Sequence, residues 1–181
     1  MTKDKFGLEW SDETFLTVCG NCIYEAHWTT NGNITKLTYI NTMIDVKVKL
    51  LTDTAVLPSK AHPTDAGFDI TATEKSTDEF GNIVYRTGIA LELPKDYVGL
   101  IFPRSSICKK DLVLTNSVGV IDSGYRGEIL VKFKPLGPNH YEVGDRIAQL
   151  IIMPTPVITL TPEKFLSSSD RGDGGFGSTG K

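Results

Sequence analysis

Five clusters of polar residues and glycines hold the side chains of this sequence that could carry out chemistry. In the first, Asp65 and Asp69 flank small residues just ahead of a predicted strand. A carboxylate in this position can orient water, a metal ion or a neighbouring side chain. Solvated acids in an ordinary turn have the same composition, so the first cluster alone leaves both interpretations open.

The second cluster follows Pro103, which ends a predicted strand, and consists of Arg104, Ser105 and Ser106. The guanidinium, the two hydroxyls and the backbone N–H groups of such a turn can all bind one phosphate. An ordinary capped turn uses the same residue types, and so short a cluster does not separate the two interpretations.

The third and longest cluster, residues 116–127, places Asp122 at the exit of a predicted buried strand. A carboxylate there can lie in a partly dry site and accept a proton from water. Tyr125 supplies a flat amphipathic face, and Asn116 carries the donor and the acceptor that a pyrimidine edge requires. The alternative is a hairpin in which Asp122 only forms the turn, although the length of the cluster favours a functional site.

The fourth cluster, residues 144–151, starts with a turn and enters a strand. Gln149 is a polar residue set among apolar neighbours in that strand. A buried amide needs hydrogen-bond partners, because leaving it without them costs about 1–3 kcal/mol. The partner could be a phosphate or base of a ligand, or equally the protein backbone.

The fifth cluster is the glycine-rich stretch of residues 171–181. Its backbone N–H groups, together with Arg171, Ser178 and Thr179, can wrap a polyphosphate. Phe176 stands among glycines with no core partner nearby in the sequence, which favours stacking on a base.

Short strands must position these clusters. Residues 44–50 alternate apolar and polar side chains with a period of two, which predicts a half-buried strand. Many such segments separated by glycine, proline and asparagine are typical of a sandwich, jelly roll or barrel. Further strands are predicted at 89–93, 98–102, 118–121, 129–133 and 147–153, with hairpin turns at Asn31-Gly32 and at Gly81 and a surface connection at 71–86.

The composition bounds the class of protein. The 181 residues are 40% hydrophobic and 23% charged, which is typical of one globular domain. A formal net charge of −3 gives no basic field to recruit nucleic acid, so any bound phosphate must be met by local groups. No apolar run suits a transmembrane helix and no secretory signal is present, so we expect an intracellular protein, in cytoplasm, nucleus or a virus-infected host cell.

Taken in order along the chain, the five clusters resemble the five motifs of the trimeric dUTP pyrophosphatase (dUTPase) family. The resemblance runs from about Met43 to Lys181. Each motif alone is short and common, whereas five in the family's order are specific. The resemblance implies an all-β jelly roll that assembles as a homotrimer, with three active sites that each draw motifs from all three subunits.

The resemblance also implies an enzyme, a dUTP diphosphatase. Water would attack the α-phosphorus of dUTP in line and give dUMP and pyrophosphate, with Mg²⁺ bound through the substrate phosphates and no defined protein ligand. This reaction limits uracil in DNA and supplies dUMP for dTTP synthesis. The implied partners are dUTP and further copies of the chain, with no membrane and no nucleic acid.

Residue by residue, the resemblance assigns Asp122 as the base that activates the attacking water and Asp69 as a supporting acid. Deoxyribose and uracil would contact Asn116, Gly119, Tyr125 and Phe176. The phosphates would contact Arg104, Ser105, Ser106, Gln149, Arg171, Gly177, Ser178 and Thr179.

Three segments follow from this match. They are an N-terminal extension at 1–42, a β-barrel domain at 43–165 and a flexible glycine-rich arm at 166–181 that closes over the active site. The extension contains a predicted hairpin and could bind a protein partner, unless Met43 is the natural start.

Two alternative functions remain open at this point. The related dCTP deaminases share the fold but lack the glycine-rich arm, and Asn116 together with Asp122 favours the hydrolase. A regulatory module on the same fold, switched by nucleotide, could bind a protein through residues 1–42.

The same extension contains three candidate zinc ligands, Cys19, Cys22 and His27. A structural zinc site needs four ligands, so unpaired thiols are favoured over a zinc site.

Overall fold

The computed structural model describes residues 2–3, 9–10, 14–19, 22–28, 34–40, 44–175 and 178. Within these residues the chain forms β-strands and one 3-10 helix, Ser105–Lys109, and no α-helix. The predicted all-β fold class is therefore confirmed. The described part of the chain contains no helix that is long and apolar enough to cross a membrane.

The strands fall into N-terminal strands and those of the main body. The N-terminal strands are β1 (Thr2–Lys3), β2 (Glu9–Trp10), β3 (Thr14–Cys19), β4 (Cys22–Trp28) and β5 (Ile34–Ile40). The main body contains β6 (Lys47–Leu50), β7 (Phe68–Thr71), β8 (Glu74–Thr77), β9 (Ile83–Glu92), β10 (Tyr97–Pro103), β11 (Leu112–Leu114), β12 (Gly119–Asp122), β13 (Glu128–Pro135) and β14 (Arg146–Pro154).

Two antiparallel sheets make up the main body. One has the strand order β12-β10-β14-β7, and the other has the order β11-β13-β9-β6, with β8 also paired to β9. Buried residues of both sheets form a single apolar core, as expected when two sheets pack face to face. The largest side chains of this core with no more than 1% of their surface exposed are Tyr85, Phe133, Ile70, Ile89, Ile129 and Ile147.

The N-terminal strands β3, β4 and β5 form a separate antiparallel sheet. β4 and β5 pair on either side of Asn31-Gly32, where the sequence predicts a hairpin, although that turn lies outside the described residues. β3 adds a third strand that the sequence analysis did not predict.

The apolar segments of the sequence locate most strands of the main body correctly, but the period-two pattern at 44–50 overestimates the length of the first one. β6 begins only at Lys47, and Ile44 and Leu50 are 46% and 49% exposed. Their apolar side chains lie uncovered in the single chain, and Ile44 lines an open apolar groove of about 420 Å³ together with Val48 and Phe68.

The prediction of a surface connection at 71–86 is wrong in part, because β8 is largely exposed but the start of β9 is buried. This stretch forms β8 and the first part of β9, which pair with each other. Ile83 and Tyr85 are 5% and 0% exposed, because alternate residues of β9 face the core. The hairpin turn predicted at Gly81 joins the two strands, and Gly81 has a positive φ of 74°.

A bulge divides β9 at Gly88. Glu128 of β13 pairs with Ala90, whereas Leu130 pairs with Arg86, so β9 carries extra residues between the two pairs. Gly88 has a φ of 66°, and its N–H donates to the Glu128 carboxylate over 2.9 Å. The bulge lets the first part of β9 pair with β8 and the second part with β6.

We expect Gly88→Ala to destabilise the fold more than Gly81→Ala. Both glycines have positive φ, which costs an alanine about 1–2 kcal/mol. A Cβ at Gly88 would also lie 2.7 Å from Thr52 Oγ1 and 2.8 Å from Ala55 Cβ, whereas nothing lies within 4 Å of a Cβ at Gly81. Urea unfolding of the two variants measures the difference, and equal losses would contradict this account of the bulge.

Asp78 organises the hairpin between β8 and β9. Its carboxylate accepts hydrogen bonds from the backbone N–H groups of Phe80 and Asn82 and pairs with Lys132 Nζ at 3.2 Å. Hydrogen bonding by the Asn82 backbone is the main cause that lowers the pKa of Asp78 to about 2.

The lowered pKa of Asp78 predicts a pH-dependent contribution to stability. The native state favours the ionised carboxylate, so the contribution is complete above the ordinary pKa of 3.8 and is lost as the pH falls toward about 2. Thermal unfolding between pH 2 and 7 should show wild type and Asp78→Asn converging at the acid end. A stability gap that stays constant over this range would contradict the assignment.

Candidate active site

The four-stranded sheet carries residues from four of the five sequence clusters. Asp69 lies in β7, Gln149 in β14 and Asp122 at the end of β12, while Arg104 directly follows β10. Because β10 pairs with both β12 and β14, and β14 pairs with β7, hydrogen bonding places these segments side by side.

One carboxylate joins two arginines at the edge of this sheet. Asp69 Oδ1 accepts a hydrogen bond from Arg104 Nε at 2.7 Å, and Asp69 Oδ2 accepts one from Arg146 Nη1 at 2.9 Å. The side chain of Asp69 is 15% exposed and that of Arg104 is 24% exposed, so the pair is partly shielded from water. Asp69 therefore fixes the direction of the Arg104 guanidinium.

Arg146 is a residue that the sequence analysis did not assign. It lies in the fourth cluster and is the first residue of β14, the strand that carries Gln149. Its signal is a cation beside a predicted turn, which is too common to stand out. The Arg104 Nη1 group also donates to the Arg146 carbonyl at 3.3 Å, so the two arginines are linked through backbone as well as through Asp69.

The partner of Gln149 is protein backbone, one of the two options that the sequence left open. Gln149 Nε2 donates to the Pro103 carbonyl at 2.9 Å. A Cβ at Gly67 would lie 2.6 Å from Gln149 Oε1, so this glycine leaves the room that the amide occupies. Gln149 thus lies directly beside the residue that precedes Arg104.

The chain after Pro103 forms a short 3-10 helix, and we refer to residues 104–110 as the Arg-Ser-Ser turn. The Ile107 N–H donates to the Arg104 carbonyl at 2.9 Å, which closes the first part of the turn. Ser105 is exposed and Ser106 is half-buried, so the two hydroxyls that the sequence treats alike have different surroundings.

A small cavity lies beside Asn116 and Gly119. It has a volume of about 290 Å³, and Ile101 and Leu114 line its apolar side. A Cβ at Gly119 would lie 3.0 Å from Ile101 Cβ, so a glycine at this position keeps the cavity open. The cavity combines an amide side chain with apolar walls, which suits a flat, polar-edged ring.

Asp122 and Tyr125 lie at the far end of β12. The prediction that Asp122 leaves a buried strand is wrong for the single chain, because β12 is an edge strand and Asp122 is exposed. The Tyr125 hydroxyl donates to the Glu128 carbonyl at 3.1 Å, and its ring packs so close to Gly127 that a Cβ there would overlap it. Tyr125 is therefore fixed in orientation although it is 45% exposed.

The register of the sheet separates Asp122 from the Arg-Ser-Ser turn. Asp122 pairs with Val98 at one end of β10, whereas Arg104 follows Pro103 at the other end. Five residues of extended strand span about 17 Å. One chain therefore does not bring the predicted base next to the predicted phosphate-binding residues.

The described residues of the glycine-rich arm form local turns. Arg171 is exposed, and its Nε donates to the Gly174 carbonyl at 2.9 Å. The Ser178 N–H donates to the Gly175 carbonyl at 3.0 Å. The predicted contacts of Phe176, Gly177 and Thr179 lie outside the described residues.

The described residues provide no metal site built from three or more acidic, histidine or cysteine side chains. Asp69, the acid beside the Arg-Ser-Ser turn, already accepts hydrogen bonds from two arginines. Mg²⁺ keeps several waters and is usually bound by one or two carboxylates and substrate phosphates, so an all-protein cage is not required.

Comparison with known proteins gives consistent matches. The dUTPase family model matches residues 53–180. The deoxyuridine 5'-triphosphate nucleotidohydrolase of Clostridium tetani is 42% identical over 140 residues, which cover 75% of this chain and 97% of that protein.

Solved structures of phage dUTPases also match. The dUTPase of Staphylococcus bacteriophage 80alpha with dUpNHpp has a TM-score of 0.66 and 32% identity, covering 76% of this chain and 99% of that one. A mutant dUTPase from phage phi11 of S. aureus, in which a structural Mg(II) ion is coordinated, has a TM-score of 0.58 and 27% identity, covering 68% and 99%. With a family model over most of its length and a relative this similar, the chain belongs to the dUTPase family.

Proposed function

We propose that this protein hydrolyses dUTP to dUMP and pyrophosphate. The observation that carries the proposal is its 42% identity to a deoxyuridine 5'-triphosphate nucleotidohydrolase over nearly the whole of that enzyme. The five clusters that could bind a nucleoside triphosphate all lie within or beside the matched region.

Each part of the substrate has a matching group in this chain. The cavity beside Asn116 and Gly119 accepts uracil, and the fixed ring of Tyr125 packs on the deoxyribose, where a 2′-hydroxyl would be rejected. Arg104 and Ser105 bind phosphate, with Gln149 beside them. Phe176, Gly177, Ser178 and Thr179 of the arm, together with Arg171, complete the enclosure.

Catalysis then requires positioning, charge neutralisation and one base. Asp122 accepts a proton from the water that attacks the α-phosphorus, and the bond to the bridging oxygen breaks to release pyrophosphate. The guanidinium groups of Arg104 and Arg171 stabilise the charge on the phosphates. Mg²⁺ bound to the triphosphate would supply further neutralisation of that charge.

We expect Asp122→Asn to lower kcat by about 10²–10⁴-fold, because the amide cannot accept the proton of water. Asp53→Asn changes another exposed acid away from the sequence clusters and should keep full activity. Pyrophosphate release from dUTP, dCTP, dTTP and UTP with Mg²⁺ measures both. If wild type hydrolyses dUTP and Asp122→Asn keeps that activity, Asp122 is not the base.

We further propose that the active site is completed by a homotrimer. The separation of Asp122 from the Arg-Ser-Ser turn supports a site shared between chains. Two uncovered apolar surfaces support assembly: the groove lined by Ile44, Val48 and Phe68, and the extended segment with Val157, Ile158 and Leu160, which are 69–89% exposed.

Mixed trimers test the shared site. Asp122→Asn and Arg104→Ala chains should each be inactive alone. When the two are co-assembled in equal amounts, a site between neighbouring chains receives both intact residues in about a quarter of cases, so about a quarter of wild-type activity should return. Mixed trimers verified by mass spectrometry that remain inactive would show that Asp122 and Arg104 act within one chain.

A regulatory role is a second candidate function. The phage 80alpha dUTPase belongs to phage dUTPases described as controlling transfer of virulence genes by a G protein-like mechanism. Residues 1–42 lie outside the family match and include a three-stranded sheet that could bind a protein. A chain that binds dUTP but does not hydrolyse it, and that loses a protein partner when residues 1–42 are removed, would favour this role.

A further inference from the structure

The loop after β13 lies against the Arg-Ser-Ser turn and contains a tyrosine that the sequence analysis did not single out. Tyr141 is 3% exposed and packs against Tyr85 and Phe133, with ring centroids 6.4 Å and 5.9 Å away. The Tyr85 hydroxyl donates to the Tyr141 carbonyl at 2.8 Å. Both the backbone and the ring of Tyr141 are therefore fixed by the core.

The hydroxyl of Tyr141 reaches the Arg-Ser-Ser turn. It lies 3.2 Å from Ser106 Oγ, within hydrogen-bond distance. Ser106 is half-buried, whereas the preceding Ser105 is exposed. The Ser106 hydroxyl thus faces the core, and Ser105 is the serine that is open to an incoming phosphate.

Other contacts between this loop and the turn fall on the second half of the turn. Asn139 Nδ2 donates to the Lys109 carbonyl at 2.7 Å, and Lys110 Nζ donates to the His140 carbonyl at 2.7 Å. Among the described residues, the hydrogen bond to Ser106 is the one that joins this loop to the first half of the turn. That half carries the proposed phosphate-binding groups. Removal of that bond leaves the first half tied to the body mainly through Arg104 and Asp69.

We propose that Tyr141 is a positioning residue of the phosphate site, and that the Ser106 hydroxyl serves as its tether to the turn instead of donating to phosphate. Ser106 then acts through its place in the backbone, and Arg104 and Ser105 supply the side-chain contacts. This inference rests on the proposed function, because the turn is taken to bind the phosphates of dUTP.

A double-mutant cycle tests the tether. Tyr141→Phe keeps the ring and removes the hydroxyl, and Ser106→Ala removes the other partner. Each should lower kcat/KM for dUTP by about 3–10-fold, the range expected for one hydrogen bond, and the double variant should lose no more than either single one. Affinity for an imido analogue of dUTP, which is not hydrolysed, should fall by a similar factor.

Thr87→Val is the matched control. Thr87 is 1% exposed, and its hydroxyl donates to the Ile129 carbonyl at 2.7 Å, away from the turn. This variant also loses a buried hydroxyl bond, but kcat/KM measured well below its unfolding temperature should equal that of wild type. If Tyr141→Phe only weakened the fold, its kcat/KM would equal that of wild type, as expected for Thr87→Val.

Four results would overturn the proposal. They are an unchanged Tyr141→Phe enzyme, an equal loss in Thr87→Val, additive losses in the double variant, and a much larger loss in Ser106→Ala, which would make Ser106 a direct phosphate donor. Wild type that does not hydrolyse dUTP would instead contradict the proposed function, and the affinities for the imido analogue would still decide the role of Tyr141.

Discussion

The register of β10 is the constraint on which the rest of the site depends. This strand pairs with β12 on one side and with β14 on the other. Its backbone hydrogen bonds therefore decide which residues of three sequence clusters become neighbours. A shift by one residue would exchange the buried and exposed faces of the strand, so burial of Ile101 in the core holds the register in place.

Once the register is set, charge pairing directs the side chains at the sheet edge. Asp69 accepts hydrogen bonds from both Arg104 and Arg146, so a single partly buried carboxylate holds two cations in defined directions. The two positive groups face the region where the Arg-Ser-Ser turn begins. Guanidinium groups that a carboxylate holds in fixed directions need less reorganisation to bind an anion.

The same register keeps the proposed base apart from the proposed phosphate-binding residues within one chain. Asp122 is at the opposite end of β10 from Arg104, and β12 is an edge strand that leaves Val120 61% exposed. Apolar side chains along the groove at Ile44 and the segment at Val157 are likewise uncovered. The separation of Asp122 from Arg104 and the exposed apolar surface are thus two consequences of one architecture, and the proposed trimer would account for both.

Local patterns in the sequence predicted much of this protein. Short apolar segments bounded by glycine and proline located β10, β13 and β14, and the glycine turn at Gly81 marked a hairpin, because burial of a strand and positive φ leave local signatures. The five clusters, taken in order, identified the family from residue types alone. Arg104 and Asp122 were recognised as candidate functional residues without any knowledge of their positions in space.

Only the tertiary structure decided which of these residues meet. It paired Arg146 with Asp69 across 77 positions and brought the Tyr141 hydroxyl to Ser106 across 35. It also extended β9 through the bulge at Gly88 and placed Asp122 on an exposed edge. Contacts of this kind depend on strand register and sheet order, which arise from the packing of the whole chain, so the spacing of residues along a sequence does not contain them.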